Sequence, residues 1–286
     1  MNGGKLMIQD IKPHRFDNRY YSDSSPKDDD FVIVYRNNRS ILVKVEINTG
    51  KLTFPTFAQC ENKKNLIYLF SIDHERFFLD LYAEDYYAEH GFEYLDTRRL
   101  RALTSDSQEY MFAAFTAMHL AEWYMNTRFC GKCGCGLKHD RFERAMRCNN
   151  CGDVFYPRIN PAVIVGVTNG DQLLLTKYKS GYSHNALVAG FTEIGETLEQ
   201  TVEREVMEET GIKVKNICYY KSQPWGIACD LLAGFFCEAD GDTNIRMDSN
   251  ELRYARWVNR EEIELQPQDY SLTNEMMRVF KEGVWK

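Results

Sequence analysis

Apolar positions in this chain repeat with two different periods. Residues 31–57 read FVIVYRNNRSILVKVEINTGKLTFPTF, where short β-branched and aromatic runs break at Asn37-Asn38 and at Asn48-Thr49-Gly50. Such runs between turn residues predict a meander of three short strands. NLIYLFSI, residues 65–72, predicts a further strand, so residues 1–104 read as a small, mostly β domain. From 105 to 129 the period lengthens. Met111, Phe115, Met118 and Trp123 recur near helical spacing behind Asp106 or Ser107 as N-cap, which predicts a long connecting helix whose stripe is core packing. The polar stretch SDSSPKDDD at 22–30 is expected to be a mobile loop.

Beyond a cysteine-bearing segment at 130–156, the alternation returns. PAVIVGVTNGDQLLLTKY (161–178) predicts two buried strands turning near Asn169-Gly170-Asp171. NALVAGF, KVKNICYYKSQPW, LLAGFFCEA and ELRYARWV predict further strands, and SLTNEMMRVFKEGVW a closing helix. Between them, Leu198, Val202 and Val206 stand at i, i+4 and i+8, the apolar side of a helix that packs on a sheet, and Thr210-Gly211 supplies its stop. Strands around a central helix predict an α+β or α/β/α sandwich over residues 157–286.

Composition narrows the function classes. With 286 residues, 44% apolar and 13% aromatic, the chain is a globular protein of about two domains. No window approaches the apolar run of a membrane span, and MNGGKLMIQDIKPHR lacks the apolar core of a secretory signal, so the expected location is cytoplasmic. A net charge of -7 argues against broad electrostatic attraction to nucleic acid or anionic membrane. A phosphate-ester substrate would need cations to mediate the encounter.

Nine cysteines, an odd number, make a poor disulfide framework. Four stand as Cys130-x2-Cys133 and Cys148-x2-Cys151, fourteen residues apart, each pair on a Gly-containing turn that aims two thiolates at one ion. This spacing predicts a closed, tetrahedral, structural Zn2+ site. Cys135 and His139 match neither turn and are left out. Lys138, Arg141, Arg144 and Arg147 give the ribbon a basic strip, a feature of nucleic-acid-binding ribbons.

The second concentration of chemistry is GFTEIGETLEQTVEREVMEETGI, residues 190–212. On a helix, Glu205, Glu208 and Glu209 share one face. Three carboxylates together repel one another, and Arg204 offsets only part of that repulsion. A divalent cation would offset the rest, because hard ions such as Mg2+ take carboxylate oxygens and leave room for a substrate's phosphates.

The run Gly190, five residues, Glu196, seven residues, Arg204-Glu205-Val206-Met207-Glu208-Glu209-Thr210-Gly211-Ile212 resembles a complete Nudix box, the signature of the Nudix hydrolases. The resemblance implies an α/β/α sandwich that hydrolyses a nucleoside-linked diphosphate with Mg2+ or Mn2+. Glu205, Glu208 and Glu209 would be metal ligands, and Arg204 and Glu196 the pair that orients loop and helix.

The zinc ribbon before this domain, LAEWYMNTRFC ahead of it and Ser222-Gln223-Pro224-Trp225 after it are similar to the NADH pyrophosphatase (NudC-like) branch of the family. That branch continues PFPxS where this chain has Gly226-Ile227-Ala228-Cys229-Asp230, and it has SIA where this chain has Ser271-Leu272-Thr273. The likeness implies substrate contacts at Phe191, Tyr156, Gln223, Pro224, Trp225, Asp230, Glu143, Arg101 and Thr273. It implies further metal ligands in Glu251 and the Ala189 carbonyl. The implied reaction is cleavage of NADH or NAD+ to NMN(H) and AMP by a homodimer, with one carboxylate, Glu209 for example, accepting the proton of the attacking water. A 5′ NAD cap on RNA carries the same linkage. Two alternatives stand beside it: action on another nucleoside diphosphate derivative such as ADP-ribose or a dinucleoside polyphosphate, and a non-catalytic ribbon protein that binds nucleic acid or senses nucleotides.

Overall fold

The computed structural model describes residues 7–36, 38–46, 48–60, 64–82, 91–103, 107–179 and 184–285. The chain divides into two compact units. The N-terminal unit comprises Asp10–Arg158 and Gly226–Cys229; the C-terminal unit takes in the chain up to Gln9, Ile159–Trp225 and Asp230–Lys286.

In the N-terminal unit, strands β1 (Phe16–Asp17), β2 (Phe31–Arg36), β3 (Ser40–Val45), β4 (Leu52–Thr53), β5 (Ile67–Ile72), β6 (Glu75–Asp80) and β7 (Glu93–Asp96) form one sheet. Its order is β1-β5-β6-β2-β3-β4, with β7 on β3. The four expected strands are β2 to β5. Strands β2, β3 and β4 form the expected antiparallel meander, whereas β5 joins the sheet through β6, which lies between β2 and β5 and pairs with β2 in parallel. Helices α1 (Thr97–Ala102) and α2 (Gln108–Asn126) follow. Met111, Phe115, Met118 and Trp123 of α2 are all buried, and so are Ala113, Ala114, Ala117 and Ala121, whose small side chains let neighbours approach from the other sides. Ser107 is the N-cap residue; Asp106 and Asn37 lie outside the described residues.

The stretch at 22–30 is irregular, as expected, but its end is anchored rather than loose. Asp30 is buried and accepts Arg76 Nε at 2.9 Å, and the same guanidinium donates to Ser24 Oγ and the Ser25 carbonyl. A buried carboxylate needs such a partner. Three short strands, β8 (Leu137–His139), β9 (Met146–Cys148) and β10 (Val154–Phe155), carry the cysteine segment.

The C-terminal unit holds β11 (Asn160–Asn169), β12 (Gln172–Tyr178), β13 (Val188–Phe191), α3 (Leu198–Thr210), β14 (Val214–Trp225), β15 (Asp230–Ala239), β16 (Leu252–Asn259) and α4 (Leu272–Lys281). The sheet order is β14-β15-β11-β12-β16, with β13 on β11, and only β11 and β15 pair in parallel. Alternation along β11 makes two cores. Val163, Val165 and Val167 pack with Val202 and Val206 of α3, whereas Ala162 and Ile164 pack with Met276 and Phe280 of α4. One helix on each face gives the expected α/β/α sandwich. Val202 and Val206 are fully buried, and each contributes about 1.5–3 kcal/mol. Thr197 caps α3 by accepting the Gln200 amide, and Gly211, at φ 70°, ends it in the left-handed conformation that favours glycine.

Candidate active site and cysteine cluster

The two cysteine turns converge. Gly134 (φ 73°) donates its N–H to Cys130 O at 2.8 Å, and Gly152 (φ 80°) to Cys148 O at 2.9 Å. These turns aim the sulfurs of Cys130, Cys133, Cys148 and Cys151 inward until all lie within 4.8 Å of one another. A tetrahedral ion with bonds of about 2.3 Å would space its ligands similarly, so the four fit a metal. The Cys135 amide holds the Cys133 thiol down, to about 6, whereas, against the Asp153 amide, burial and the neighbouring sulfurs push Cys151 up, to about 12, a crowding of thiols that a bound cation would relieve. Cys135 stays out of the cluster, and the His139 ring lies on Tyr124, 5.2 Å between centroids.

On α3, Arg204 organises the acids. Its Nε and Nη2 grip Glu196 at 2.6 and 3.0 Å, Nη2 also donates to Phe191 O at 2.9 Å, and Nη1 reaches Glu205 at 2.7 Å and Glu208 at 3.0 Å. Glu196 further accepts the Glu193 amide and the Thr201 hydroxyl. The Arg204 guanidinium, helped by that amide, holds the Glu196 carboxyl down to about 2. The loop from Phe191 to Glu196 is thereby tied to the helix.

Glu205 and Glu209 lie deeper. A Cβ at Gly190 would sit 1.9 Å from the Glu205 carboxyl carbon, so the glycine leaves the space that this carboxylate fills. Burial raises the Glu205 carboxyl, against the opposing pull of Arg204. Glu209 is 3% exposed; burial pushes it up to about 8, and the Glu205 and Glu251 carboxylates push the same way. Its Oε1 accepts the Tyr178 hydroxyl at 3.2 Å, whereas Oε2 is buried without a hydrogen-bond partner. An orphaned carboxylate oxygen among like charges fits a cation. Among the described residues no trio of carboxylates closes as tightly as the thiols do; Glu208 is largely exposed and turned to Arg204.

Comparison with known proteins agrees with this geometry. The NUDIX domain model matches residues 158–280. The NAD-capped RNA hydrolase NudC of Klebsiella pneumoniae is 40% identical over 176 residues, which cover 60% of this chain and 67% of that protein. The chain belongs to the Nudix family. The Shigella flexneri NAD-capped RNA hydrolase NudC is 42% identical over 153 residues, 52% of this chain, and there the match spans 58% of the relative's length. A Nudix hydrolase structure from Nitrosomonas europaea is 21% identical, covers 54% of this chain and 91% of its own, and has a TM-score of 0.47.

Within the Nudix unit, Phe191 is 55% exposed at the end of β13. Gln223 is 0% exposed, and its amide is committed elsewhere. It accepts the Leu272 N–H at 2.7 Å and donates to Tyr270 O at 2.8 Å and Gln9 Oε1 at 3.1 Å, fixing the start of α4. Its side chain thus has an anchoring role. Pro224 and Trp225 pair across the hairpin with Leu231 and Asp230, Asp230 is buried and accepts Asn160 Nδ2 at 3.3 Å, and Thr273 lies half-buried in the first turn of α4.

Other implied contacts fall in the N-terminal unit. There Tyr156 donates to Glu143 at 2.9 Å, so that pair is brought together, and Arg101 sits in the last turn of α1. The same unit includes the departing segment 226–229. A Cβ at position 226 would lie 2.2 Å from Phe115 O, which excludes the proline found there in the branch, and Ile227 O accepts Arg39 Nη2 at 2.8 Å.

Sequence reasoning missed Tyr178. Its hydroxyl, 3.2 Å from Glu209 Oε1 and 3.4 Å from Ala189 O, links two groups implied to hold metal. The one sequence signal was a tyrosine closing the apolar run QLLLTKY, the strand β12 between β11 and β16.

Proposed function

We propose that the chain hydrolyses the diphosphate bond of NADH or NAD+, free or as a 5′ cap on RNA, to NMN(H) and AMP. The observation that carries this reading is the buried Glu209 Oε2, without a partner, beside Glu205 and Glu251. Relatives 40–42% identical are NAD-capped RNA hydrolases, which supports the substrate class.

Glu205, Glu208, Glu209, Glu251 and the Ala189 carbonyl would hold Mg2+ or Mn2+. When bound, such ions neutralise the diphosphate and lower the pKa of an attacking water. Arg204 and Glu196 keep the loop bearing Phe191 in register with the helix, and Phe191 offers an exposed ring face to a base. Tyr178 keeps one oxygen of Glu209 occupied and so orients the other. A carboxylate of this set, Glu209 for example, would accept the water's proton. The four cysteines would hold a structural Zn2+. Among the described residues no helix is long and apolar enough to cross a membrane; we take the enzyme to be a cytoplasmic homodimer, which light scattering would check as twice the chain mass.

Chromatography of products from NADH, NAD+, ADP-ribose, diadenosine polyphosphates and NAD-capped RNA tests the reading. NMN(H) and AMP as the dominant products support it. ADP-ribose far outpacing NADH would show that the segment at 226–230 has redirected the substrate.

A further inference from the structure

The basic strip of the cysteine segment divides. Arg144 donates to the backbone oxygens of Leu69 and Asn18, and Arg147 bridges Asp140 at 2.6 Å. Lys138 and Arg141 stay exposed, and neither they nor Arg128 makes an ion pair among the described residues. These three cations line one cleft of about 840 Å³ within the N-terminal unit. Tyr21, Tyr82 and Phe129 line it too, 43%, 58% and 66% exposed. A second cleft of about 630 Å³ shares Tyr21, Tyr68 and Arg141, so together they make a groove rather than a closed pocket.

Charge in this cleft runs opposite to that of the whole chain. Of the lining acids, Asp140 is committed to Arg147 and to the amides of Phe142 and Glu143, which leaves Asp23 against the three cations. A ligand that covers the cleft meets both cations and aromatic rings, with Arg128 6.0 Å from the centre of the Phe129 ring, and so pairs best if it carries negative charges and flat unsaturated faces. A small anion has no use for three rings, an acidic peptide brings no flat faces, and a duplex keeps its bases inside the stack. A single-stranded polynucleotide offers both phosphates and free base faces.

We infer that this cleft binds a single-stranded polynucleotide, with Arg128, Lys138 and Arg141 on phosphates and Tyr21, Tyr82 and Phe129 under bases. Naming that strand as the body of a capped RNA rests on the function proposed above; the charge and stacking argument does not.

Fluorescence anisotropy of the full chain with a labelled, uncapped single-stranded RNA of about 12 nucleotides tests it. Three phosphate contacts predict a log–log salt slope of about -2. The double variant Lys138→Glu/Arg141→Glu should lose tenfold or more in affinity, roughly, and flatten that slope. Tyr82→Ala should lose about tenfold and leave the slope unchanged. Unchanged zinc content and NAD+ turnover show that the variants are folded. Variants that bind RNA like the parent, or a duplex bound as tightly as the single strand, would overturn the inference. RNA binding intact in a chain that never turns over NAD+ would overturn the proposed function and leave the cleft standing; full turnover with variants indifferent to RNA would do the reverse.

Discussion

Glu209 is buried beside two other carboxylates with one oxygen held by Tyr178 and the other unpartnered, an arrangement that an ion would stabilise. Tyr178→Phe removes the hydroxyl and keeps the ring. Mn2+ affinity, read from the free-ion signal by electron paramagnetic resonance, should fall about 10–100-fold, as it does when a ligand loses its orienting partner; unchanged affinity would make Tyr178 a packing residue. Glu196 makes a prediction about pH. Its folded carboxyl is held at about 2 against an ordinary 4.5, so its contribution to stability is fully present above 4.5 and disappears as pH falls towards 2. Glu196→Gln should therefore melt earlier than the parent at neutral pH, and the gap should close over that acidic window. Helical spacing places Glu205, Glu208 and Glu209 on one face with Arg204 four residues before Glu208, whereas Glu196, in the loop ahead of the helix, was marked only by the family resemblance. Tyr178 was not legible in the sequence, because a strand-to-helix contact across 31 residues leaves no local pattern. Gln223 carries a role that the motif does not show: its buried amide anchors the start of α4.

At the scale of elements, β13 and α3 form the working pair. Gly190 lets the strand pass where Glu205 fills the space above it. Gly190→Ala should keep the fold, since the clash is with the end of a side chain, yet displace that carboxylate and cut turnover by about 100-fold. Circular dichroism with initial rates checks both halves. Helix α3 was legible from Leu198, Val202 and Val206, and its stop from Gly211. Strand β6 was not: ERFFLD is a short run that fits several conformations, and its parallel pairing with β2 joins residues more than 40 positions apart.

For the whole molecule, the two candidate metal sites divide between two units. The four thiols sit in the N-terminal unit and the carboxylates in the C-terminal one. Mass spectrometry under native conditions should find one zinc per chain. Its removal by a chelator, with Mg2+ restored afterwards, should lower the melting temperature by more than about 5 °C, and a metal-free chain of parental stability would remove the structural role. Composition and spacing pointed to both candidate sites, but not to the close approach at 226, where a Cβ would meet the Phe115 carbonyl oxygen at 2.2 Å.

If the acids of the Nudix helix hold the ion that breaks the diphosphate, release of NMN and AMP from NAD+ in Mn2+ must depend on Glu209, which a comparison of the parent with Glu209→Gln at matched zinc content measures. A fall of about 10²–10⁴-fold in turnover is predicted, and a variant as fast as the parent would contradict the account.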